Sequence, residues 1–317
     1  MGTPLISILM AVYEPKLEWL KEQLISLNNQ SYSRLHLYIR DDCSEEVSFD
    51  DIRLLVERCI TSFPYVVNRN EKNIGSNKTF ERLTTEAEGE YFAYCDQDDI
   101  WMSGKLMSLE ERIRKTRAGL VCSDVIMIDE HGVKIGNSIR EFRPRHIFQE
   151  GFDLSEVLIY KNFVIGCTML IRSEIAKRSL PFALSMVHDH YLAFACSIEH
   201  SISVYPQPLV LYRQHKTNQT GILINIHNKD DYISNHLIPF CNRIKELKQR
   251  YPDAISEKTI EWSEARIDNI RKIPGSKKRL FRLRSLNYST TMFELIALQM
   301  PEPIFRYMIK KIQKGWI

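Results

Sequence analysis

The chain has 317 residues, 44% apolar and 26% charged, enough to bury a substantial core and suited to one large domain or a domain with an appendage. No stretch approaches the roughly 18 consecutive apolar residues of a membrane-spanning helix, so any membrane role is expected to be peripheral. The net charge of +3 hides an asymmetry: residues 271–317 hold 11 Lys and Arg against 2 acidic residues, whereas residues 1–270 hold 32 against 38, so the basic character belongs to the tail.

The apolar run Leu5-Ile6-Ser7-Ile8-Leu9-Met10 begins almost at once, with no preceding basic segment, and reads as a first core strand rather than a secretory signal. Further strands are expected at His36–Arg40, Tyr65–Asn68, Tyr91–Cys95 and Leu120–Ser123. Between them, Leu17, Leu20, Leu24 and Leu27 recur at helical spacing, as do Phe80, Leu83 and Ala87, then Leu106, Leu109 and Ile113. Alternation of this kind implies an α/β fold with crossover helices over a mostly parallel sheet. Ser103 is a candidate N-cap for the Leu106 helix, and Asn73 to Ser76, with Gly75 inside, makes a turn before the Phe80 helix.

Residues 125–162 lose periodicity and read as extended segments and loops. Apolar segments return at Val164–Ile171 and Ile202–Tyr212, separated by a helix from His190 to Ser197, so the second half of the sheet is expected to be mixed. From about Ile233 the pattern is helical: Ile233, Leu237, Phe240, Ile244 and Leu247 form one stripe, and Ile260, Ser263, Ile267 and Ile270 a weaker one. Pro274-Gly275 breaks the run, and the final helix places Phe305, Met308, Ile309, Ile312 and Trp316 on one side, with Arg306, Lys310, Lys311 and Lys314 largely elsewhere. The expected division is residues 1–225 and a helical, basic region 226–317. The seven cysteines, widely spaced and without CxxC or Cys/His ligand spacing, fit a reducing compartment and buried apolar positions.

Three acids, Asp96, Asp98 and Asp99, follow directly on the strand Tyr91–Cys95, where open α/β sheets form their ligand crevice. Acids packed this closely repel unless solvent or a cation separates them, and hard oxygen ligands suit Mg²⁺ or Mn²⁺, which could also hold a diphosphate. The alternative is an acidic turn in which Asp99 caps the next helix. A second pair, Asp41-Asp42, ends the second strand; it could accept hydrogen bonds from a base or ribose, or form a solvated turn.

The ordered motifs Ser7-Ile8-Leu9-Met10-Ala11-Val12-Tyr13 with Pro15, Arg40-Asp41-Asp42-Cys43-Ser44, Arg69 to Gly75, Asp96-Gln97-Asp98-Asp99-Ile100-Trp101, Gly166-Cys167-Thr168, His188-Asp189-His190 and Tyr212-Arg213-Gln214-His215 resemble a family 2 inverting glycosyltransferase, and its bacterial rhamnosyltransferase-like branch in particular. The resemblance covers roughly residues 4–220. It implies a nucleotide-diphospho-sugar transferase (GT-A type) fold with a central, mainly parallel sheet, followed here by a helical C-terminal appendage. It also implies that Ala11, Tyr13 and Asp41 contact the nucleoside, that Asn73, Gly75 and Lys78 lie near the nucleotide, and that Asp96 lies near the ribose and metal. By the same resemblance Asp98 is the main metal ligand, His215 and Arg213 serve the metal or diphosphate, and Gly166-Cys167-Thr168 walls the donor sugar pocket. Asp189 is the implied general base; read without that context it would be an N-terminal helix cap. Close relatives commonly carry an aromatic residue, often tryptophan, after the His-Asp pair, where this chain has His190 followed by Tyr191, which weakens inference about the sugar.

These readings together imply metal-dependent inverting transfer of a sugar, with L-rhamnose from dTDP-rhamnose leading and hexosyl or N-acetylhexosaminyl transfer from a UDP-sugar open. The acceptor would be a glycan, lipid-linked, in cell-surface polysaccharide synthesis. The basic tail fits either an anionic membrane surface through residues 271–317, on the cytoplasmic face, or packing on the core. Nucleic-acid binding through the tail is the non-enzyme alternative, disfavoured because no recognised binding module accompanies the charge. A nucleotidyltransferase would need a Gly- and Lys-rich phosphate loop, which the sequence lacks.

Overall fold

The computed structural model describes residues 2–215, 223 and 225–313. The chain divides into two compact units, Met1–Phe182 with Val187–Lys216, and Ala183–Met186 with Thr217–Ile317.

In the first unit, β1 (Ile6–Val12), β2 (Leu35–Asp41), β3 (Tyr65–Arg69) and β4 (Tyr91–Cys95) are mutually parallel, in the order β3-β2-β1-β4. Both faces of β1 and β4 are covered, which is why each reads as an unbroken apolar run. The register decides where their chemistry goes: Val12 pairs with Asp41, Asp41 with Arg69, and Met10 with Cys95. All four strands therefore end at one edge, and Tyr13, Asp42, Asn70 and Asp96 leave it together. Helices α1 (Leu17–Asn28), α2 (Phe49–Cys59), α3 (Ser76–Glu86) and α4 (Lys105–Thr116), the last following the two-residue strand β5 (Ile100–Trp101), make the crossovers. Leu20, Leu24 and Leu27 of α1 are fully buried, but Leu17 of the expected stripe is exposed at the helix start.

The expected Ser103 cap is corrected. Gly104 precedes α4 without a side-chain cap, and Ser103 instead offers its carbonyl to the Ser31 amide at 2.9 Å. Gly75 does open α3, at φ +84°, a conformation that glycine adopts without steric cost.

The strand expected at Leu120–Ser123 runs on as β6 (Leu120–Ile128), and the segment read as loops holds β7 (Lys134–Gly136), α5 (Ile139–Phe142) and α6 (Ser155–Tyr160). These elements are three to six residues long, too short to show a period in the sequence. β8 (Leu170–Arg172), followed by α7 (Ser173–Arg178), runs antiparallel between β4 and β6. After α8 (His188–Glu199), β9 (Ile202–Arg213) lies parallel to β6 and antiparallel to β5, completing the order β3-β2-β1-β4-β8-β6-β9-β5. Pairing of Ile100 with Leu211 and of Trp101 with Val210 carries the acidic turn to the end of β9.

The second unit is helical: α9 (Lys229–Tyr232), a π-helical turn over Ile233–Leu237, α10 (Ile238–Arg250), α11 (Glu257–Ile270), α12 (Ser276–Arg282), α13 (Tyr288–Ala297) and α14 (Glu302–Gln313). The π turn shifts the phase of the expected stripe, so that Tyr232, Leu237 and Cys241 face Phe305 and Ile309 of α14. The apolar side of α14 is thus spent within its own unit, while Arg306 and Lys310 are exposed; Lys314 and Trp316 of the expected pattern lie outside the described residues. Arg266 and Glu294, both buried, form an ion pair at 2.5 Å, and Trp262 Nε1 donates to Thr291 Oγ1 at 2.8 Å. No helix among the described residues is long and apolar enough to cross a membrane.

Candidate functional site

The turn after β4 is fixed from three sides. Gln97 makes a two-way bond with Tyr13, accepting from its amide at 2.8 Å and donating to its carbonyl at 3.0 Å, which ties the ends of β1 and β4 together. Asp98 meets His215 Nε2 through Oδ2 at 2.7 Å, and the His215 ring packs on Trp19 with centroids 4.8 Å apart. Asp99, 1% exposed, accepts from the Arg213 amide at 3.0 Å; its Oδ2 is shielded without a nitrogen or oxygen donor, and the Cys167 thiol lies against the same carboxyl. Asp99 therefore does not cap the following helix.

Burial, and then the neighbouring charge of Asp98, pushes Asp99 up to about 7. Burial and the charges of Asp99, Asp98 and Asp189 hold Asp96 well above the usual carboxylate range. Ligand atoms of Asp96, Asp99 and Cys167 lie within 4.8 Å of one another. The thiol is a poor member of that set, because burial and the two carboxylates push it far above its ordinary value and keep it protonated. Crowded acids of raised proton affinity, with an imidazole on the outer one, are a donor set that fits a divalent cation.

Arg213 requires a correction. Its guanidinium, 1% exposed, does not present itself to a ligand: Nε donates to the Asp98 carbonyl at 2.8 Å, Nη1 to the Asp129 and Glu130 carbonyls at 3.4 Å, and Nη2 pairs with Glu22 at 2.5 Å. It braces the acidic turn against the end of β6 and α1.

Asp189 opens α8. Oδ2 accepts from the Gly166 amide at 3.0 Å, and Oδ1 from Asn162 Nδ2 at 3.2 Å and from the His190 amide at 2.5 Å. It accepts an amide of its own first turn, the N-cap position being Val187, and remains a candidate base, since burial outweighs these bonds and raises it to about 6. His188, stacked on Phe80 with centroids 4.0 Å apart, is lowered by burial to about 3 and is neutral. A Cβ on Gly166 would lie 3.0 Å from His188 Nε2 and 3.4 Å from Asp189 Cβ, so glycine there lets the turn approach the base. Tyr191, the departure noted in the motif, is buried with its hydroxyl on the Ser179 carbonyl at 3.0 Å; it belongs to the core.

On the other side of the turn, Asp41 is fully buried, held by Ser44 Oγ at 2.6 Å and Arg69 Nε at 3.2 Å. Asp42 accepts from the Ile74 amide at 2.9 Å, the Gly75 amide at 2.8 Å and Asn70 Nδ2 at 2.8 Å, and so shapes the loop before α3. Asn73 accepts from the Gly75 amide at 3.1 Å, and Lys78 pairs with Glu81 at 2.8 Å. Ala11 is half-buried and Tyr13 is 45% exposed at the end of β1. Asn162 and Glu22 carry no sequence signal, because each acts through a partner 27 or 191 residues away, and the motif around Gln97 gives no hint of its bond to Tyr13, 84 residues away. Buried Lys105 was likewise hidden inside an ordinary helix start.

A mainly parallel sheet whose strand ends gather the loop before α3, an acidic turn and a second carboxylate is an arrangement suited to a group transferase. The family model for glycosyl transferase family 2 matches residues 7–180. The chain belongs to that family and is a glycosyltransferase with a GT-A fold. It is 28% identical over 235 residues to the dTDP-rhamnosyl transferase RfbG of Shigella flexneri, covering 69% of this chain and 76% of that one. An uncharacterized glycosyltransferase of Methanocaldococcus jannaschii is 24% identical over 239 residues, covering 74% and 75%. In fold, the chain is similar to S. aureus TarS 1-349 in complex with UDP-GlcNAc, with TM-score 0.61 and 16% identity over 98% of this chain and 92% of that one. Family membership implies a nucleotide-sugar donor and a glycan acceptor.

Proposed function

We propose that the chain transfers a sugar from a nucleotide-diphosphate donor to a glycan hydroxyl in one inverting step with Asp189 as base. The observation that carries this reading is the Asp189 carboxylate, held by Gly166, Asn162 and His190 and close enough for its charge to be felt at Asp96. The acceptor oxygen forms its bond to the anomeric carbon as the bond to the diphosphate oxygen breaks. The proton passes to Asp189, and the bonding electrons leave with the diphosphate. Asp98 and His215, with Asp96 at the edge, would hold Mn²⁺ or Mg²⁺, which when bound supplies positive charge opposite the departing diphosphate. Tyr13, Ala11 and the Asp41–Arg69 pair would meet the nucleoside, and the loop Asn73–Gly75 with Lys78 would border it. Arg213 holds the turn in place.

L-rhamnose from dTDP-rhamnose is the leading donor, supported by the relative from Shigella flexneri; UDP-linked hexose or N-acetylhexosamine is the second reading, favoured by the UDP-GlcNAc complex of the TarS neighbour. A lipid-linked acceptor at the cytoplasmic face of a membrane fits the second unit, where exposed Phe281, Tyr288 and Tyr307 accompany Lys277, Lys278 and Arg282. A panel of dTDP- and UDP-sugars with Mn²⁺ and Mg²⁺, read by nucleoside diphosphate release and compared with Asp189→Asn, tests the proposal. Release from no donor, or equal release by the variant, sinks it.

A further inference from the structure

Three acids share one turn, yet the proposed cation has outward ligands only at its rim. Burial and mutual repulsion raise the proton affinity of Asp96 and Asp99, and a cation close to them favours their charged forms whether or not a donor is bound. Lys105, first residue of α4, is fully buried. Its Nζ donates to the Cys167 carbonyl at 2.6 Å, in the turn Gly166–Thr168, and lies over the face of the Trp101 ring. Burial lowers its proton affinity to about 7, while Cys167, Cys95, Asp99 and Asp96 around it favour the charged form; the Cys167 thiol of the same turn lies within 4.8 Å of the ligand atoms of Asp96 and Asp99. A lysine is rarely placed at zero exposure without compensation. Here the compensation comes from the acids, a carbonyl and a ring face.

We propose that Lys105 is a positioning residue, the resident cation of the acidic turn. It offsets the charge of Asp96 and Asp99, so that Asp98 and His215, with Asp96 at the edge, meet the metal–diphosphate. Through the Cys167 carbonyl it also fixes the turn whose Gly166 amide holds Asp189. A single ammonium thereby links the side of the site that takes the leaving group to the side that takes the proton. The inference rests on the glycosyltransferase reading for what the site does; the placement of Lys105 stands without it.

The test is a double-mutant cycle on the full chain, Lys105→Met, Asp99→Asn and both together, followed by thermal unfolding in metal-free buffer. Asn keeps the acceptor for the Arg213 amide and removes the charge. Lys105→Met alone is expected to lower Tm by about 5 °C or more, and the double variant to recover most of that loss. Strictly additive losses would overturn the proposal, since packing alone would give them. If Lys105→Met does not fold, a double variant that folds supports the proposal; failure of both, with Asp99→Asn folding alone, refutes it. In transfer assays Lys105→Met should lower kcat and raise the donor KM together, about tenfold each, and the double variant should recover part of the KM loss. Absence of any transfer by the wild-type chain would count against the function, while the unfolding cycle would still decide the role of Lys105.

Discussion

Replacing Asp189 by Asn separates the chemical role of this carboxylate from its structural one. Its proton affinity stands at about 6 against an ordinary 3.8. At 1.36 kcal/mol per tenfold, burying the charged form costs about 3 kcal/mol, and about 2 kcal/mol once partial contact with water is allowed for. The sign follows from the raised value: the folded state keeps its proton longer than the unfolded one, so the wild type loses stability as pH rises from about 4 through about 6. Asn does not titrate, but its amide cannot accept from both sides. With Oδ1 still taking Asn162 and His190, Nδ2 would oppose the Gly166 amide, which costs about 1–2 kcal/mol. Asp189→Asn is therefore expected to be less stable than wild type at pH 5 and about equal to it at pH 8. Transfer should fall about 10²- to 10⁴-fold at both. Urea unfolding at the two pH values and nucleoside diphosphate release measure these quantities. Turnover within tenfold of wild type would remove Asp189 as the base, and a stability gap that does not move with pH would remove the raised proton affinity.

For the wild type, log kcat/KM should rise with pH and level off above about 6, the free-enzyme value of Asp189, and the limb should vanish in the Asn variant. Asp98→Ala removes the partner of His215 and should weaken Mn²⁺-dependent binding of the nucleoside diphosphate at least tenfold, checked by calorimetry with and without the metal. Gly166→Ala places a methyl 3.0 Å from His188 Nε2; a stability loss of about 1–3 kcal/mol with a fall in kcat is expected from melts and turnover. Glu294→Ala strands the buried Arg266 and should destabilise the second unit by about 3–5 kcal/mol in urea unfolding. Lys277→Glu with Lys278→Glu and Arg282→Glu should lower sedimentation with anionic liposomes if the basic face binds membranes; unchanged sedimentation would remove that proposal.

Much of the first unit was legible because its strands are buried on both faces and its helices carry a period of 3.6, signals written in adjacent residues. Those signals set β1 to β4 within a residue or two and located α1, α3 and α4 by their apolar stripes. The acids at the strand ends were visible as a cluster in the same way, but the spacing of Asp96, Asp98 and Asp99 alone left a cation site and an acidic turn both open. Residues 129–162 gave no such signal, because a three-residue strand and two short helices complete no period, and Asn162 stayed hidden among them.

The tertiary structure decided what each polar group is free to do. Sequence order put Arg213 beside His215 as an equal candidate, but the β5–β9 register turns its guanidinium inward onto the Asp98 carbonyl and Glu22 and leaves His215 on Asp98. Asp189 was legible as a base or a cap; Val187 takes the cap position of α8, while burial raises the proton affinity of Asp189. Lys105 shows the limit most clearly: the start of an amphipathic helix predicts a solvated lysine, and only the approach of Cys167, 62 residues on, buries it among the acids. Family, strand ends and the residue types available there could be read from adjacent residues. Which carboxylates are screened, which remain open and which cation balances them depended on contacts between distant segments, because burial and charge coupling exist only once those segments meet.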